Sequence, residues 1–584
     1  MKKEFSLSKG NAMINFTAKF CDNSETLFHS YGFYRVLEAY INSSKKRNSK
    51  IYKFLKNSFP KKRNREDLVK ELTRVFNLLM VLDSDEIVKL NNEYTALFKD
   101  KYQFLNFVES LYSFWRKIER YTIIKNNKLN KKGFQKVSFI NANADFTNLI
   151  RTTYRKIESN TLKEDSNIYR QLPAGGNAGL ILNNSKWPLP ENYQFLKGIP
   201  FIESIIVTPP FIIYPKKNTR DGFFKETFEN PLLGLEINED HWFCYPAKVG
   251  ELIAYIYFHR DLMAHGVTLC NLFEMAKPSE YRNKKPDIVY VYGCKDNSDE
   301  IKTVFYDDKE NDIMLGYVNY SDDIDYFGYM KKMVLTLHNL IMIKQGALPI
   351  HGAMVNIITK NGNSANVIIM GDSGAGKSES LEAFRRLSED YISEMTIIFD
   401  DMGTIKLNNN DKPLGFGTEI GAFVRLDDLD SGYAFREMDR SIFMNPDKIN
   451  ARLVIPVATY KDIMQGYPVD MFLYANNYED GENGYLEFFQ DIDKAKKVFT
   501  DGARMTKGTT TETGLVKSYF ANPFGPVQKK EETDKLIDIY FDELAKSGVK
   551  IGQLKTCLGI KGKEKTGTEK AAAELLEAIK TSFN

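Results

Sequence analysis

Through the first 145 residues apolar side chains recur at every third and fourth position, and this spacing predicts helices. DLVKELTRVFNLLMVL (67–82) and YQFLNFVESLYSFWRKIERY (102–121) carry the pattern most plainly. Ser84 or Asp85 stands where a cap for the next helix is expected. From about residue 146 the texture changes to short apolar runs rich in β-branched and aromatic residues: GLILNN, ESIIVTP, FIIYP, DIVYVYG and IMLGYVNY. Turn residues separate them, so they predict strands of an α/β domain. From about 331 onward the order is helix, strand, glycine-rich loop, helix, then further strands. IDIYFDELAKSG (537–548) and EKAAAELLEAIKTSF (569–583) predict two late amphipathic helices. The expected organisation is therefore a helical extension over 1–145, an α/β domain over 146–330 and a third domain over 331–584. No internal repeat of solenoid period is present.

Composition adds bounds. The 584 residues suit two or three domains, and 43% hydrophobic with 27% charged residues is ordinary for a water-soluble chain. The five cysteines lie far apart and form no CxxC pair, so neither a zinc site nor a disulfide framework is expected. The first residues lack the apolar core of a secretory leader, and no run of about eighteen apolar residues exists to span a membrane. A cytoplasmic location is expected, without membrane attachment. Net charge is +3, close to balance. The stretch from Lys45 to Arg65 is strongly basic. It fits a phosphate or nucleic-acid contact or, as the favoured reading, a solvated loop between helices, so a nucleic-acid partner is not the expectation.

The strongest chemical signal is ANVIIMGDSGAGKSESLEAF (365–384). Gly371-Asp372-Ser373-Gly374-Ala375-Gly376-Lys377-Ser378 is a full GxxxxGK[ST] match between an apolar strand and a helix opening at the lysine. Glycines let the backbone curl so that several N–H groups face phosphate oxygens, and the helix N-terminus adds partial positive charge. Lys377 is expected at the β and γ phosphates of a nucleoside triphosphate, and the Ser378 hydroxyl on Mg²⁺. About twenty residues later TIIFDDMGTI closes an apolar run with Asp400 and Asp401. Carboxylates at a strand end beside such a loop suit a hard divalent cation.

The stretch YFGYMKKMVLTLHNLIMIKQGALPIHGAMVNI (326–357), followed by GDSGAGKS, resembles ATP-dependent phosphoenolpyruvate carboxykinase. That family carries a Y-x-G-E-M-K-K segment, a histidine nineteen residues after the second lysine, the P-loop, and then a G-D-D segment. KPDIVYVYGCKDN (285–297) and GARMTKGTTTETGLVKSYFANPFG (502–525) extend the resemblance over residues of about 150–584, leaving the first 145 unmatched. The resemblance implies a carboxykinase-like P-loop fold, ATP with Mg²⁺ and Mn²⁺, and a small-molecule carboxylate substrate. It implies Lys332, His351 and Asp401 as Mn²⁺ ligands, and Tyr326, Lys331 and Ser373 in the substrate pocket. Arg452, in NARLVIPVATY, would contact the transferring phosphate, and Arg425 would lie near the phosphates. Arg170, in YRQLPAGGNAG, would hold the substrate.

The loop GDSGAGKSE and the segment His351-Gly352-x-x-Val355 are closer to HPr kinase/phosphorylase, where Asp400 would be the base for a hydroxyl acceptor. The adenine-contacting arginine of the carboxykinases has no counterpart among Thr509, Thr510 and Thr511. Three functions stay open. One is a carboxykinase, one a kinase of a protein or small-molecule hydroxyl, and one a non-catalytic nucleotide sensor. In the last two, residues 1–145 could bind a protein partner.

Overall fold

The computed structural model describes residues 4–59, 65–126, 136–163, 173–217, 224–296, 300, 302–372, 374–377, 379–381, 383–384, 391–425, 441–444, 451–506 and 514–582. It is a mixed α/β protein with large sheets and helices. Two compact units form, one of Met1–Asn184 with Pro200–Phe211, the other of Ser185–Ile199 with Ile212–Asn584. The divisions expected after 145 and 330 fall inside these units. Among the described residues no helix is long and apolar enough to cross a membrane.

The first unit carries the expected helices, Arg65–Leu79 and Lys101–Lys117 among them. The cap between them is Asp83 rather than Ser84 or Asp85. Its carboxylate accepts from the backbone of Asp85 and Glu86 at 2.9 Å each, and the Glu86 side chain answers the Asp83 N–H, a reciprocal capping box. The unit is also less purely helical than its periodicity predicts. Strands Phe5–Ser8 and Asn11–Asn15 form a hairpin, Asn11–Asn15 runs parallel to Glu119–Asn126, and that strand runs parallel to Ala178–Asn183. Helices fill both crossovers, as parallel pairing requires. The residues ERY, which continue the helical spacing, belong to the strand.

Arg120 fastens this turn. It is 1% exposed, and its guanidinium donates to the carbonyls of Gly175 at 2.6 Å, Trp115 at 2.7 Å, Arg116 at 2.8 Å and Ile118 at 2.6 Å. Three of these carbonyls lie at or just past the end of helix Lys101–Lys117, where helical N–H partners run out, Trp115 O keeping the Ile118 N–H at 3.3 Å. The basic run lies on helix ends and faces. Lys45 and Lys46 occupy the last turn of Tyr31–Lys46, where cations suit the helix dipole, and Lys53 and Lys56 are exposed on Lys50–Ser58. Residues 60–64 lie outside the described residues.

The second unit contains two principal sheets. In one, Ile288–Cys294 lies parallel to both Leu252–His259 and Ile313–Asn319, and antiparallel strands Trp242–Val249 and Thr303–Asp308 flank them. In the other the order is Pro413–Gly417, Met402–Leu407, Leu348–Thr359, Ser364–Met370, Met471–Asn476 and Lys550–Lys555. Its central strands are buried on both faces. Val367 and Ile369 join one core with Leu473 and Leu575, while Ile368 and Met370 join another with Phe472 and Phe541. Helices Lys530–Lys546 and Glu564–Ser582 supply Phe541 and Leu575, one on each face, which explains why the strands read as unbroken apolar runs. Helix Phe327–Lys344 is buried along nearly its whole length.

Candidate functional site

Strand Ser364–Met370 delivers the glycine-rich loop, and helical backbone begins at Lys377. Gly374 and Gly376 have φ of 82° and 101°, backbone conformations that glycine adopts without strain. A Cβ on Gly376 would also stand 2.7 Å from Thr556 Cβ. The loop is braced from neighbouring strand ends. Asn477 Nδ2 donates to the Gly374 carbonyl at 3.0 Å and the Thr556 hydroxyl to that of Ala375 at 2.8 Å. Lys377 is 6% exposed and donates to the carbonyls of Gly371 at 2.5 Å and Asp372 at 3.2 Å. Burial lowers its pKa against the pull of Asp401, Asp372, Asp400 and Glu379. Gly371 and Ala375 thus lie in this loop as expected, and Ser373 and Ser378 lie outside the described residues.

Asp400 and Asp401 occupy the connection between strands Ile392–Phe399 and Met402–Leu407. Both strands pair with the same edge of Leu348–Thr359, the second along Leu348–His351 and the first along Met354–Thr359. The gap between them falls at Gly352, whose N–H donates to the Asp401 carbonyl at 3.0 Å. The Asp401 side chain is thereby brought to His351 on the adjoining strand and to Lys331 and Lys332 on helix Phe327–Lys344.

Four side chains meet there. Lys332 Nζ is 2.5 Å and Lys331 Nζ 2.7 Å from Asp401 Oδ2, and His351 Nε2 is 3.0 Å from Oδ1. Lys331 also stands 3.1 Å from Glu419 Oε2. Burial disfavours the Lys331 charge, but Asp401 and Glu419 outweigh it and hold the pKa above the ordinary lysine range. For Lys332 burial wins, with Lys331 adding repulsion against the attraction of Asp401, and its pKa falls to about 8. Burial opposes the Asp401 charge too, yet the two lysines and His351 keep it well below the ordinary carboxylate value. Burial raises Glu419 to about 7 against the pull of Lys331.

His351 Nδ1 faces the Ala521 carbonyl at 2.8 Å, so that nitrogen carries a hydrogen. Burial, with Lys377 nearby, lowers the ring's pKa, against the hydrogen bond between Nε2 and Asp401 Oδ1, which raises it. Lys332 donates to Asp401 as an ammonium; with that proton released, the amine, the imidazole and the carboxylate could together hold a divalent transition-metal ion such as Mn²⁺. Among the described residues no group of three or more His, Cys, Asp and Glu side chains that could hold a metal ion is present. Phe524 closes one side, with Lys332 Nζ 4.5 Å above its ring and the His351 ring edge-on at 5.6 Å.

Other expected residues gather elsewhere in the same unit. Arg452 lies 5.1 Å from the Phe423 ring, and Tyr326 packs on that ring at 6.0 Å. Arg452 pairs through its backbone with Arg425 on the antiparallel strands Ala451–Pro456 and Gly421–Arg425. The side chain of Arg425, together with Arg170 and Thr509 to Thr511, lies outside the described residues. Two functional candidates are absent from the sequence reading. Glu419 is a single acid in the glycine-rich apolar stretch GFGTEIGAF, a pattern that marks a buried charge. Arg504 donates through Nε to Asp372 at 2.9 Å, linking the strand Ala503–Met505 to the glycine-rich loop. No protein-family model and no curated protein matches the chain.

Proposed function

We propose that this protein is an ATP- and divalent-metal-dependent phosphoryl-transfer enzyme of the phosphoenolpyruvate carboxykinase kind, with a carboxykinase-like P-loop fold, converting oxaloacetate and ATP to phosphoenolpyruvate, CO₂ and ADP. The observation that carries this reading is the meeting of Lys332 and His351 on the Asp401 carboxylate, at 2.5 Å and 3.0 Å, beside the sheet that delivers the braced glycine-rich loop. Lys332 and His351 each bond Asp401, and a divalent cation would take the place of the hydrogens that they share with it. Bound there, Mn²⁺ would act as a Lewis acid toward the substrate and γ-phosphate oxygens, while Mg²⁺ on Ser378 would offset charge on the β and γ phosphates.

The chain's own groups supply position and charge. Lys377 would exchange its two loop carbonyls for phosphate oxygens, and the N–H groups of Gly371 to Ser378 would line the phosphates. Loss of CO₂ from oxaloacetate leaves its electron pair in an enolate. The enolate oxygen attacks the γ phosphorus as ADP departs, so no general base is required. Arg452 and Arg425 would balance charge on the transferred group, and Tyr326, Arg170, Lys331 and Ser373 would orient the carboxylate substrate. Such catalysis is mainly positioning and electrostatics.

The sequence GDSGAGKSE and the His351-Gly352 pair favour a second reading, a kinase in which Asp400 accepts a proton from a hydroxyl acceptor. Purified protein with oxaloacetate, ATP and Mn²⁺ distinguishes them. Phosphoenolpyruvate should form, and Lys332→Ala should abolish it. Transfer of γ-phosphate to protein without any phosphoenolpyruvate would replace the carboxykinase by the kinase, and ATP binding without turnover would leave a nucleotide sensor.

A further inference from the structure

The basic stretch of the first unit reads in the sequence as a solvated loop between helices, and only Arg47-Asn48-Ser49 fits that description. Lys45 and Lys46 end helix Tyr31–Lys46, and Lys50, Lys53 and Lys56 belong to helix Lys50–Ser58. Backbone bonds close the turn, from Arg47 N to Ser43 O at 3.2 Å, Asn48 N to Lys45 O at 2.9 Å and Ser49 N to Ser44 O at 3.0 Å. Ser49 then caps the second helix, its hydroxyl accepting from Tyr52 N at 3.1 Å. Both helices are anchored in one core, the first by Leu37, Tyr40 and Ile41, the second by Leu55. The cations of this stretch are therefore held on a fixed frame.

Lys45, Lys46, Arg47, Lys50, Lys53 and Lys56 are all exposed, and among the described residues none of them pairs with a carboxylate. Their electrostatic setting is unfavourable. Lys45 and Lys46 suit the C-terminal end of their own helix, but Lys50 and Lys53 stand in the first turn of the next, at the positive end of its dipole. Lys50, Lys53 and Lys56 repeat at every third position, where like charges on a helix repel. Other helices of this unit open the opposite way, with Glu66 and Asp67 in the first turn of Arg65–Leu79 and Asp85 and Glu86 in that of Ser84–Leu90. Packing gives no reason for cations here, since these side chains face solvent, and a polyanion laid across them would relieve the repulsion.

We infer that this face binds the phosphate backbone of a nucleic-acid duplex, without reading its sequence. A duplex presents about one negative charge per 1.7 Å of its axis, a density that neighbouring cations engage at several points. Asn48 and Asn57, exposed among the cations, add amide donors for phosphate oxygens. The face has no exposed aromatic side chain on which the bases of a single strand would stack, because Tyr52 and Phe54 pack against the core. The same inward turn of the apolar side chains leaves nothing to insert into a bilayer. The surface shares no residue with the phosphoryl-transfer site.

The test uses the full-length protein and fluorescence anisotropy with a short mixed-sequence DNA duplex and the RNA duplex of the same sequence. At least one should bind, and the tighter of the two names the source of the phosphates. The logarithm of its association constant should fall with log salt at a slope of about −3.5 to −5.5, the range for about four to six neutralised phosphates. The triple variant Lys50→Gln, Lys53→Gln, Lys56→Gln should weaken binding roughly tenfold or more at low salt and flatten the slope by about 2.7, in protein whose thermal transition is unchanged or raised. The same loss of charge at Lys461, Lys497 and Lys535, exposed in the second unit, should leave affinity and slope as they are. Failure of both duplexes to bind, an unaltered slope in the first variant, equal weakening in the second, or tighter binding to phosphatidylserine vesicles than to either duplex would each overturn the assignment.

Discussion

Lys331 and Glu419 form an ion pair shut away from solvent, with Nζ 3.1 Å from Oε2 and side chains 1% and 0% exposed. The same ammonium reaches Asp401 at 2.7 Å, so one cation serves two carboxylates of unequal character. Asp401 is held charged by three neighbours, whereas burial leaves Glu419 near half ionisation at neutral pH, with its pKa at about 7. Removing the charge of Asp401 therefore costs more. Asp401→Asn should destabilise the second unit by about 3–5 kcal/mol, as expected for one partner lost from a buried cluster. Glu419→Gln, which keeps the shape, should cost about 1 kcal/mol. Urea unfolding of both variants checks the order, and equal losses would contradict it.

Gly376→Ala meets two obstacles, a φ of 101° and Thr556 at 2.7 Å. The left-handed backbone alone costs about 1–2 kcal/mol for a residue with a Cβ. Affinity for a fluorescent ATP analogue should drop at least tenfold. Thr556→Ala added to Gly376→Ala should restore only part of it, because it relieves the contact but not the backbone. Full restoration would assign the whole effect to the clash.

Acid should weaken the second unit well above the range of ordinary carboxylates. His338 is 2% exposed, and burial depresses its pKa to about 4 from the unfolded value of about 6.5. Its neutral form is common to both states above pH 6.5, so its contribution is fully present there. As pH falls from 6.5 toward 4 the unfolded chain takes up a proton that the folded chain refuses, and stability drops by about 3 kcal/mol. Burial depresses His259 to about 4 as well, which adds in the same direction. Denaturant midpoints measured from pH 8 to 4 should decline across this window, and His338→Gln should flatten the decline. An unchanged slope in the variant would remove His338 as a cause.

Arg120→Lys should destabilise the first unit by about 2–4 kcal/mol, since an ammonium cannot reach the four carbonyls that the guanidinium fork now serves. Thermal unfolding read at helical and aromatic wavelengths checks it. A shift of less than a degree would mean that water replaces the fork at little cost.

How legible these features are in the sequence depends on the range over which each acts. The P-loop is readable because strand, turn and helix are consecutive, and each residue type has a local reason to be there. Asp400 and Asp401 are readable as a strand end. The strand Glu119–Asn126 is not, because ERY extends a helical period and only its partners Asn11–Asn15 and Ala178–Asn183 make it a strand. Asp83 is displaced from the expected cap, Ser84 or Asp85, by one or two residues because the reciprocal bond with Glu86 selects it, not the onset of the apolar pattern. Glu419 and Arg504 acquire their roles from partners 88 and 132 positions away, Lys331 and Asp372, and no local pattern encodes such pairs.

The site's carboxylate owes its place to the hop between two strands that share one edge of Leu348–Thr359. This makes the length of the Asp400–Asp401 connection, more than its composition, the constrained quantity. Insertion or deletion of one residue would turn Met402–Leu407 over, setting Lys406 or Thr404 where Ile405 now enters the core. Side chains at the hop can be exchanged, but its count cannot change without losing the carboxylate and the sheet register together.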